Sequence, residues 1–407
     1  MRKIHYGWVI VASASFIFAT NALSIYSFGV FLTPLTQEFN WDRGELSAAF
    51  SAGILVAGFL STITGRISDR YGPRGLVAIG AIAMAACFFL MSLVNSLWQV
   101  YLTWGVFLGL GIGCTVTPIN ATIPRWFSTK MGLAVAIPSA GFGVGSVLAP
   151  LLVQWLLTLF DWRQAFIVLA VIRLVIALPL TLLVRRDPRD IGIRPFGDRK
   201  SDADFSVDTS ITGTSFTQAM KSRRFWFFAL THFGFGFCLQ TIIVHTVPNA
   251  IDVGLTAVVA AGILSIVAGA SILGMLSAGF VADRLGSTRL MSICLVVTTV
   301  ALAWLIIAGD VWMFYLFAAV YGFFYGAVIP LWTLVSAELF GFKSLGSIFG
   351  TVILLGTIGG AIGTPMSGLI FDITGSYDIA LIVAAGISML TIVSSLLLRR
   401  YRQQISG

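Results

Sequence analysis

The chain has 407 residues, of which 57% are hydrophobic and only 10% are charged, whereas soluble domains carry about 25% charged residues. Its mean hydropathy of +0.95 excludes an aqueous globule, because a globule of this size has no polar surface to cover so many apolar side chains. The net charge of +8 does not indicate nucleic-acid binding, since the basic residues form no cluster on a soluble module.

In chain order, apolar runs of about 20 residues, the length that crosses a bilayer core as a helix, recur from one end to the other. They predict an all-α membrane protein with twelve transmembrane helices, called spans 1 to 12, near residues 7–34, 44–64, 75–94, 98–124, 131–159, 162–184, 224–250, 256–280, 288–308, 311–337, 344–371 and 376–398. The first run has no cleavage site after a short apolar region, so span 1 is predicted to be retained. The four cysteines lie inside spans without paired spacing, which favours packing over a disulfide or metal site: Cys87, Cys114, Cys238 and Cys294.

The distribution of Lys and Arg predicts the orientation. With the N-terminus inside, 22 of the 25 basic residues fall on the cytoplasmic side, Arg43 and Arg163 fall outside, and Arg173 alone lies at membrane depth. Cytoplasmic loops of membrane proteins carry such an excess of Lys and Arg. Both termini are therefore predicted to be cytoplasmic, in a multi-pass protein of a bacterial inner membrane.

A polar segment divides the spans into two groups of six. Residues 186–222 contain six basic and six acidic residues with Pro188 and Pro195, and they show no periodic apolar face. Such composition predicts a flexible cytoplasmic loop. The predicted organisation is a six-helix bundle over 1–185, the loop over 186–222 and a second six-helix bundle over 223–407.

An internal repeat relates the two groups. The loops predicted after spans 2 and 8 share glycine, aspartate, arginine and glycine at an offset of 214, as Gly65, Asp69, Arg70 and Gly72 recur as Gly279, Asp283, Arg284 and Gly286. A weaker echo at an offset of 213 relates Phe127 and Lys130 to Phe340 and Lys343. An aspartate can accept hydrogen bonds from the N-terminus of a neighbouring helix. The Asp-Arg pairs are therefore predicted to latch the halves together; the alternative is that Arg70 and Arg284 anchor to lipid headgroups.

This Gly-x-x-x-Asp-Arg-x-Gly motif after spans 2 and 8 resembles the signature loop of the major facilitator superfamily. The resemblance implies a secondary transporter in which two six-helix bundles rock around a central cavity. Spans 1, 4, 7 and 10 would line the cavity, spans 2, 5, 8 and 11 would flank it, and spans 3, 6, 9 and 12 would be peripheral.

Shorter stretches resemble the monocarboxylate and oxalate/formate porter branches: His5-Tyr6-Gly7-Trp8-Val9, Ser27-Phe28-Gly29-Val30-Phe31, Arg125-Trp126-Phe127 and Lys130-Met131-Gly132-Leu133-Ala134. The resemblance implies transport of a small organic anion such as lactate or pyruvate, with protons or by exchange. Members of those branches commonly carry a basic residue on span 8 or 11, yet residues 256–280 and 344–371 contain no Lys, Arg or His. A neutral or drug-like solute, or a sensor that binds without transport, stays open as an alternative.

Polar and aromatic side chains on the expected cavity helices are the candidate substrate ligands: Asn21 and Tyr26 on span 1, Thr117 and Asn120 on span 4, Thr241 and His245 on span 7, and Tyr321, Tyr325 and Trp332 on span 10. An imidazole can both donate to a carboxylate and titrate, so His245 is also the candidate for proton coupling. The competing interpretation of His245 is a structural histidine held by hydrogen bonds. The competing interpretation of Tyr321, Tyr325 and Trp332, which lie along one side of span 10, is helix packing.

Few ionisable groups lie at membrane depth. Arg173 is a candidate anion clamp, although its place on peripheral span 6 favours pairing with a neighbouring helix. No Asp or Glu lies near the middle of a span, so proton coupling would require His245 or the carboxyl group of the substrate itself. No nucleophile-base pair, metal-ligand cluster or phosphate loop is found, which predicts no enzyme, cofactor or metal. The expected partners are the small organic anion, protons and membrane lipid, around a monomer.

Overall fold

The computed structural model describes residues 5–198 and 213–403. Within these ranges twelve helices are long and apolar enough to cross a membrane, which confirms the predicted number: Tyr6–Phe39, Arg43–Tyr71, Arg74–Met91, Leu97–Trp126, Met131–Leu159, Trp162–Thr181, Arg223–Asp252, Val258–Leu285, Ser287–Ile306, Val311–Phe340, Leu345–Thr374 and Asp378–Leu398. Arg2 and Lys3, which are among the basic residues predicted to be cytoplasmic, lie outside the described residues.

Two spans are composite. Span 1 consists of helices Tyr6–Tyr26 and Phe28–Phe39 with a turn at Ser27 between them. Span 4 begins as the short helix Leu97–Val100, widens into a π-helix over Tyr101–Phe107, continues as Leu108–Thr122 and ends in a 3₁₀ turn over Ile123–Trp126. Irregular backbone therefore occurs on two of the helices that were expected to line the cavity. π-Helical turns are rare and often lie at functional sites.

The repeated motif is mainly helical, which corrects its prediction as a loop. Spans 2 and 8 extend to Tyr71 and Leu285, so Asp69 and Asp283 belong to the last helical turns. The charged residues lower the local hydropathy, but they leave the backbone hydrogen bonds of the helix intact. Each helix ends at the glycine of the motif, where φ is +89° at Gly72 and +84° at Gly286, a conformation that favours glycine.

Four clusters of buried side chains are found among the described residues. Two join both halves, a large one called the shared cluster and a small one of Ala121, Ala337 and Leu345, and the other two each lie within one half. The end of the molecule that carries Asp69 and Asp283 is called the motif face. The shared cluster lies on that side and joins residues of both halves, among them Ile119, Trp126, Leu331 and Trp332. Towards the opposite face the clusters separate, one within the first half and one within the second. The halves are therefore packed together at the motif face and apart at the opposite face.

Glycines set the close approach of helices within each half, in a pattern that repeats at the offset of 214. A Cβ atom added at Gly145 on span 5 would lie 2.3 Å from the carbonyl oxygen of Ala19 on span 1. A Cβ added at Gly359 on span 11 would lie 2.1 Å from the carbonyl oxygen of Phe233 on span 7. Spans 1 and 5 therefore pack as spans 7 and 11 do, and residue 19 corresponds to residue 233.

The described parts of the segment between the halves pack against the motif face, unlike the flexible loop that was predicted. The Phe196 N–H donates to the Trp126 carbonyl at 2.8 Å, and the Phe196 carbonyl accepts from the Ser128 N–H at 2.9 Å. On the other side of the gap, the Thr214 N–H donates to the Phe340 carbonyl at 2.8 Å. Residues 199–212 of the predicted loop lie outside the described residues.

Replacing Gly145 with alanine is expected to lower the melting temperature of the purified protein by several degrees, because the new methyl group has no room beside the Ala19 carbonyl. Overpacking of this kind typically costs about 1–3 kcal/mol. Gly386→Ala on span 12 is the control, since nothing lies within 4 Å of a Cβ there. Equal melting temperatures for the two variants in scanning fluorimetry would contradict the prediction.

Candidate functional site

The carboxylate of Asp69 caps a helix of the other half. It accepts from the backbone N–H of Gly346 at 3.0 Å and from the N–H and hydroxyl of Ser347, each at 2.8 Å. Span 11 begins at Leu345, and its own N-cap residue, Ser344, makes no side-chain capping bond. The first N–H groups of a helix lack partners within the helix, and the helix dipole favours an anion there. Span 2 thus supplies the cap that span 11 lacks.

A buried arginine completes this contact. Arg125, at the end of span 4, donates to Asp69 at 3.0 Å as an ion pair and to the Phe342 carbonyl at 3.1 Å. The Arg186 guanidinium donates to the Asp69 backbone carbonyl. The sequence places Arg125 among the cytoplasmic basic residues and in the stretch Arg125-Trp126-Phe127 that resembles the porter branches, but it does not indicate that this side chain is buried. The first latch consists of Asp69, Arg125 and the N-terminus of span 11.

Asp283 forms a second latch in the equivalent place. It accepts from the N–H groups of Gly132 at 2.7 Å and Leu133 at 3.4 Å, at the start of span 5. Both partners precede Gly346 and Ser347 by 214 residues. In the described ranges Asp283 forms no ion pair, and Glu338, 213 residues after Arg125, instead accepts from Thr288 on span 9. The two latches share backbone geometry but differ in charge.

The arginines of the motif lie away from these contacts. The guanidinium of Arg70 lies over the ring of Tyr71, 5.2 Å from its centroid, and Arg70 and Arg284 are both exposed. The structure thus brings together the two predicted aspartates with helix N-termini, and it leaves Arg70 and Arg284 on the surface of the motif face.

Three tyrosines of the predicted substrate site meet where spans 1 and 10 face each other. Tyr26 is 41% exposed and lies within electrostatic range of the Tyr325 hydroxyl. Tyr325 is half-buried and stacks on Phe235 of span 7, with ring centroids 6.3 Å apart. Tyr321 is buried and stacks on Tyr325 at 6.0 Å. Tyr26 is thus the most accessible of the three tyrosines, Tyr325 is partly accessible, and Tyr321 packs behind Tyr325.

The polar residues on span 4 are buried. The Asn120 side chain, 8% exposed, donates to the Val116 carbonyl of its own helix at 3.1 Å. Thr117 is fully buried, and its hydroxyl has no hydrogen-bond partner among the described residues. Both side chains lie near the shared cluster, so they become accessible only where the halves separate on the motif side.

Arg173 lies inside the first half, fully buried between spans 6 and 1. Its guanidinium donates to the Ile17 carbonyl at 3.3 Å, to the Thr20 hydroxyl and to the Asn21 side-chain oxygen at 2.5 Å. Asn21, also fully buried, donates in turn to the Thr115 hydroxyl on span 4 at 2.9 Å. Arg173 and Asn21 therefore link three helices of one half, which matches the expected pairing with a neighbouring helix.

His245 and Thr241 on span 7 contact span 11 of their own half. The Thr241 and Ser367 hydroxyls lie 3.1 Å apart. His245 Nε2 donates to the Thr364 carbonyl at 3.0 Å, and the Tyr377 hydroxyl lies 3.4 Å from its Nδ1. Burial, with the nearby carboxylates of Asp252 and Asp372 at the ends of spans 7 and 11, raises the pKa of Tyr377. Because the Thr364 carbonyl can only accept, Nε2 of His245 carries a hydrogen.

Trp332 lies in an aromatic group on the motif side of the cavity. Its ring meets that of His232 edge-on with centroids 4.2 Å apart and lies 5.4 Å from the ring of Phe235. Trp332 Nε1 and His232 Nδ1 are buried without hydrogen-bond partners in the described part of the chain. The ring of Trp332 thus packs against neighbouring aromatic side chains. Its N–H has no hydrogen-bond partner in this closed arrangement of the motif face.

One polar residue of span 7 was not among the candidates. Gln240 lies near the middle of the span and is half-buried, with its Cγ against Gly360 on span 11. Its carboxamide forms no hydrogen bond with the residues that the structure describes. The sequence signal that marks it is a lone carboxamide in the middle of an apolar helix. No group of three or more His, Cys, Asp or Glu that could hold a metal ion is found over residues 5–198 and 213–403.

Comparisons with known proteins agree with this architecture. The model of the Major Facilitator Superfamily matches residues 14–289 and 254–406. Monocarboxylate transporter 13 of Rattus norvegicus is 30% identical over 93% of this chain and 86% of that protein. The uncharacterized MFS-type transporter YcxA of Bacillus subtilis (strain 168) is 28% identical over 89% of this chain and 88% of that protein. A crystal structure of the E. coli fucose:proton symporter FucP has the same fold, with a TM-score of 0.72 at 16% identity over 98% of this chain and 99% of that one.

Replacing Asp69 with alanine is expected to open the motif face more often, because the N-terminus of span 11 loses its cap and Arg125 loses its partner. A loss of about 1 kcal/mol would raise the open fraction roughly fivefold. The measurement is the maleimide labelling rate of Ala121→Cys, buried where the halves meet, in nanodiscs and without the native cysteines. Asp283→Ala should give a smaller increase, since its latch has no ion pair.

Asp161→Ala is the matched control for the latch. The Asp161 carboxylate accepts from the Gln164 N–H at 2.8 Å and so caps span 6 within its own half. Its removal should leave the labelling rate of the cysteine at position 121 unchanged. Equal rates for Asp69→Ala and Asp161→Ala would show that the Asp69 contact does not hold the motif face closed.

Proposed function

This chain belongs to the major facilitator superfamily, and we propose that it is a secondary active transporter of small monocarboxylates, such as lactate or pyruvate, working by alternating access. The observation that carries the proposal is the pair of latches at the motif face, each joining the halves through a carboxylate and a helix N-terminus. Helix N–H groups released from a carboxylate can bond to water instead. The contacts are therefore suited to repeated opening and closing.

The packing of the two halves supports one end state of such a cycle. The shared cluster and both latches close the motif face, while Tyr26 is accessible near the middle of the molecule. Following the distribution of Lys and Arg, we assign the motif face and both termini to the cytoplasm of a bacterial cell. The cavity is then open to the outside and ready to take up substrate. The proposed transporter is a monomer in the inner membrane.

The proposed substrate class rests on the names of similar proteins and on the kind of polar side chains that are accessible. Relatives that are named monocarboxylate transporters align along nearly the whole chain. The accessible polar groups are phenols and a carboxamide from spans 1, 7 and 10, which suit a solute with one small polar head. The candidate ligands are Tyr26 and Tyr325 at the cavity wall, with Asn120, Thr117 and Trp332 reached as the motif side opens.

Proton coupling, in this proposal, uses the carboxyl group of the substrate itself. The imidazole of His245 is engaged with Thr364 and Tyr377 in the outer part of the second half. Arg173 is enclosed between spans 1 and 6, so neither residue is required to bind the transported anion directly. A protonated acid crosses without a dedicated carboxylate in the protein.

Purified protein in liposomes is expected to take up labelled lactate or pyruvate. A pH that is lower outside the liposomes than inside should stimulate this uptake severalfold. Exchange against unlabelled substrate should proceed without the gradient, because it needs no net proton movement. Liposomes containing Asp69→Ala and empty liposomes are the controls. Ligand binding without uptake or exchange would favour a non-transporting sensor, and exchange alone without gradient-driven uptake would favour an exchanger.

His245→Ala is expected to retain stimulation by the acid gradient, because the ring contacts a backbone carbonyl and Tyr377 within one half. Tyr377→Phe, which removes only the hydroxyl near Nδ1, is the matched variant and should behave in the same way. The ratio of gradient-driven uptake to exchange is the measurement. A variant that exchanges substrate normally but no longer responds to the gradient would identify His245 as the proton carrier.

A further inference from the structure

The repeat places two polar side chains at equivalent positions on opposite walls of the cavity. Because spans 1 and 5 pack as spans 7 and 11 do, Ala19 corresponds to Phe233 at the offset of 214. Two helical turns further along, the same offset relates Tyr26 to Gln240. One contributes a phenol from the first half and the other a carboxamide from the second half.

Neither side chain has a hydrogen-bond partner in the described protein. Tyr26 is 41% exposed and Gln240 is half-buried, and both lie within helices that cross the membrane. A polar group that faces hydrocarbon without a partner costs several kcal/mol. Such groups persist at membrane depth when they face a water-filled cavity and bind water or a ligand. Both side chains are therefore expected to face water rather than hydrocarbon.

Their surroundings hold them in place. The Tyr26 ring meets that of Phe142 on span 5 edge-on, with centroids 6.1 Å apart, and lies near Tyr325 from the other half. The Gln240 side chain lies across Gly360, where a Cβ atom would approach its Cγ to 2.6 Å. Span 11 thus leaves room for this side chain by having a glycine there. By the repeat, Gln240 holds in the second half the position that Tyr26 holds in the first half, so the two side chains are expected to border the same space.

We propose that Tyr26 and Gln240 bind the carboxyl group of the substrate from the two halves, and that Gln240 selects its protonated form. This inference rests on the proposed monocarboxylate transport. A carboxamide offers one donor and one acceptor side by side, and a protonated carboxyl group offers the complementary acceptor and donor. An ionised carboxylate has no donor, so it would leave the Gln240 oxygen facing a negative charge. The Tyr26 hydroxyl donates to the carbonyl oxygen in either case.

This arrangement explains recognition of an acid without a cation in the cavity. A buried ionised carboxylate needs a positive partner to offset its lost hydration, whereas a neutral acid needs only matched hydrogen bonds. The proton then enters and leaves on the substrate, and no bond is made or broken in the protein. Since the pair spans both halves, binding also bridges the surfaces that must approach each other when the outer side closes.

The test compares Gln240→Leu, Gln240→Lys and Tyr26→Phe with the wild type in liposomes. Loss of the two hydrogen bonds from the carboxamide is expected to raise the KM for lactate roughly tenfold in Gln240→Leu. Loss of the single bond from the phenol is expected to raise it roughly fivefold in Tyr26→Phe, and both variants should show a smaller change in the maximal rate. For wild-type exchange measured at equal pH on both sides, the rate should fall with rising pH as the protonated acid becomes scarce. In Gln240→Lys, a cation should accept the ionised form and shift this profile to higher pH.

Gln218→Leu, on the short helix Phe216–Lys221 outside the membrane, is the matched control and should leave KM and the pH profile unchanged. Gln240→Asn, which keeps the carboxamide, supplies a second readout if Gln240→Leu fails to fold, and it should keep the pH profile. Wild-type transport together with an unaltered KM in Gln240→Leu and an unaltered pH profile in Gln240→Lys would overturn the inference alone. Absence of monocarboxylate transport in the wild type would overturn the proposed function as well.

Discussion

The closed motif face depends on one physical constraint, which is that the first N–H groups of a helix need acceptors that the helix cannot supply. Spans 5 and 11 satisfy this need with aspartates of the opposite half, Asp283 and Asp69. The glycines beside them allow the backbones to approach closely enough for these bonds. The same contact therefore caps the helix N-termini, brings the backbones of the two halves together and closes the motif face.

The two halves repeat this contact without repeating its charge. Arg125 joins the first latch, while Glu338 at the related position holds span 9 within its own half. The backbone offset of 214 is preserved at Gly132 and Gly346, where geometry is demanding. The side chains that surround the aspartates are less constrained and have diverged. Spans 8 and 5 are therefore joined at Asp283 by hydrogen bonds and close backbone packing without an ion pair.

Hydropathy and the distribution of charge predicted the twelve spans, and the repeat predicted that Asp69 and Asp283 would meet helix N-termini. Those features depend on composition and local spacing. The importance of Gln240 and the burial of Arg125 depend on which face of a helix meets its neighbour, and crossing angles leave no mark in a single sequence. The segment around Phe196 was expected to be flexible because it lacks an apolar period, but backbone hydrogen bonds to Trp126 and Ser128, which composition does not record, hold it in place.

The enclosure of Arg173 has an electrical consequence. Its guanidinium is bonded to span 1 backbone and side chains, and Asn21 ties the same group to span 4, so the charge travels with the first half as one body. A charge that keeps its depth while the halves rock does no work against the transmembrane voltage. If the cargo is the neutral acid proposed above, a full cycle displaces no net charge. The rate of such a cycle would follow the gradients of substrate and pH and be indifferent to the membrane potential.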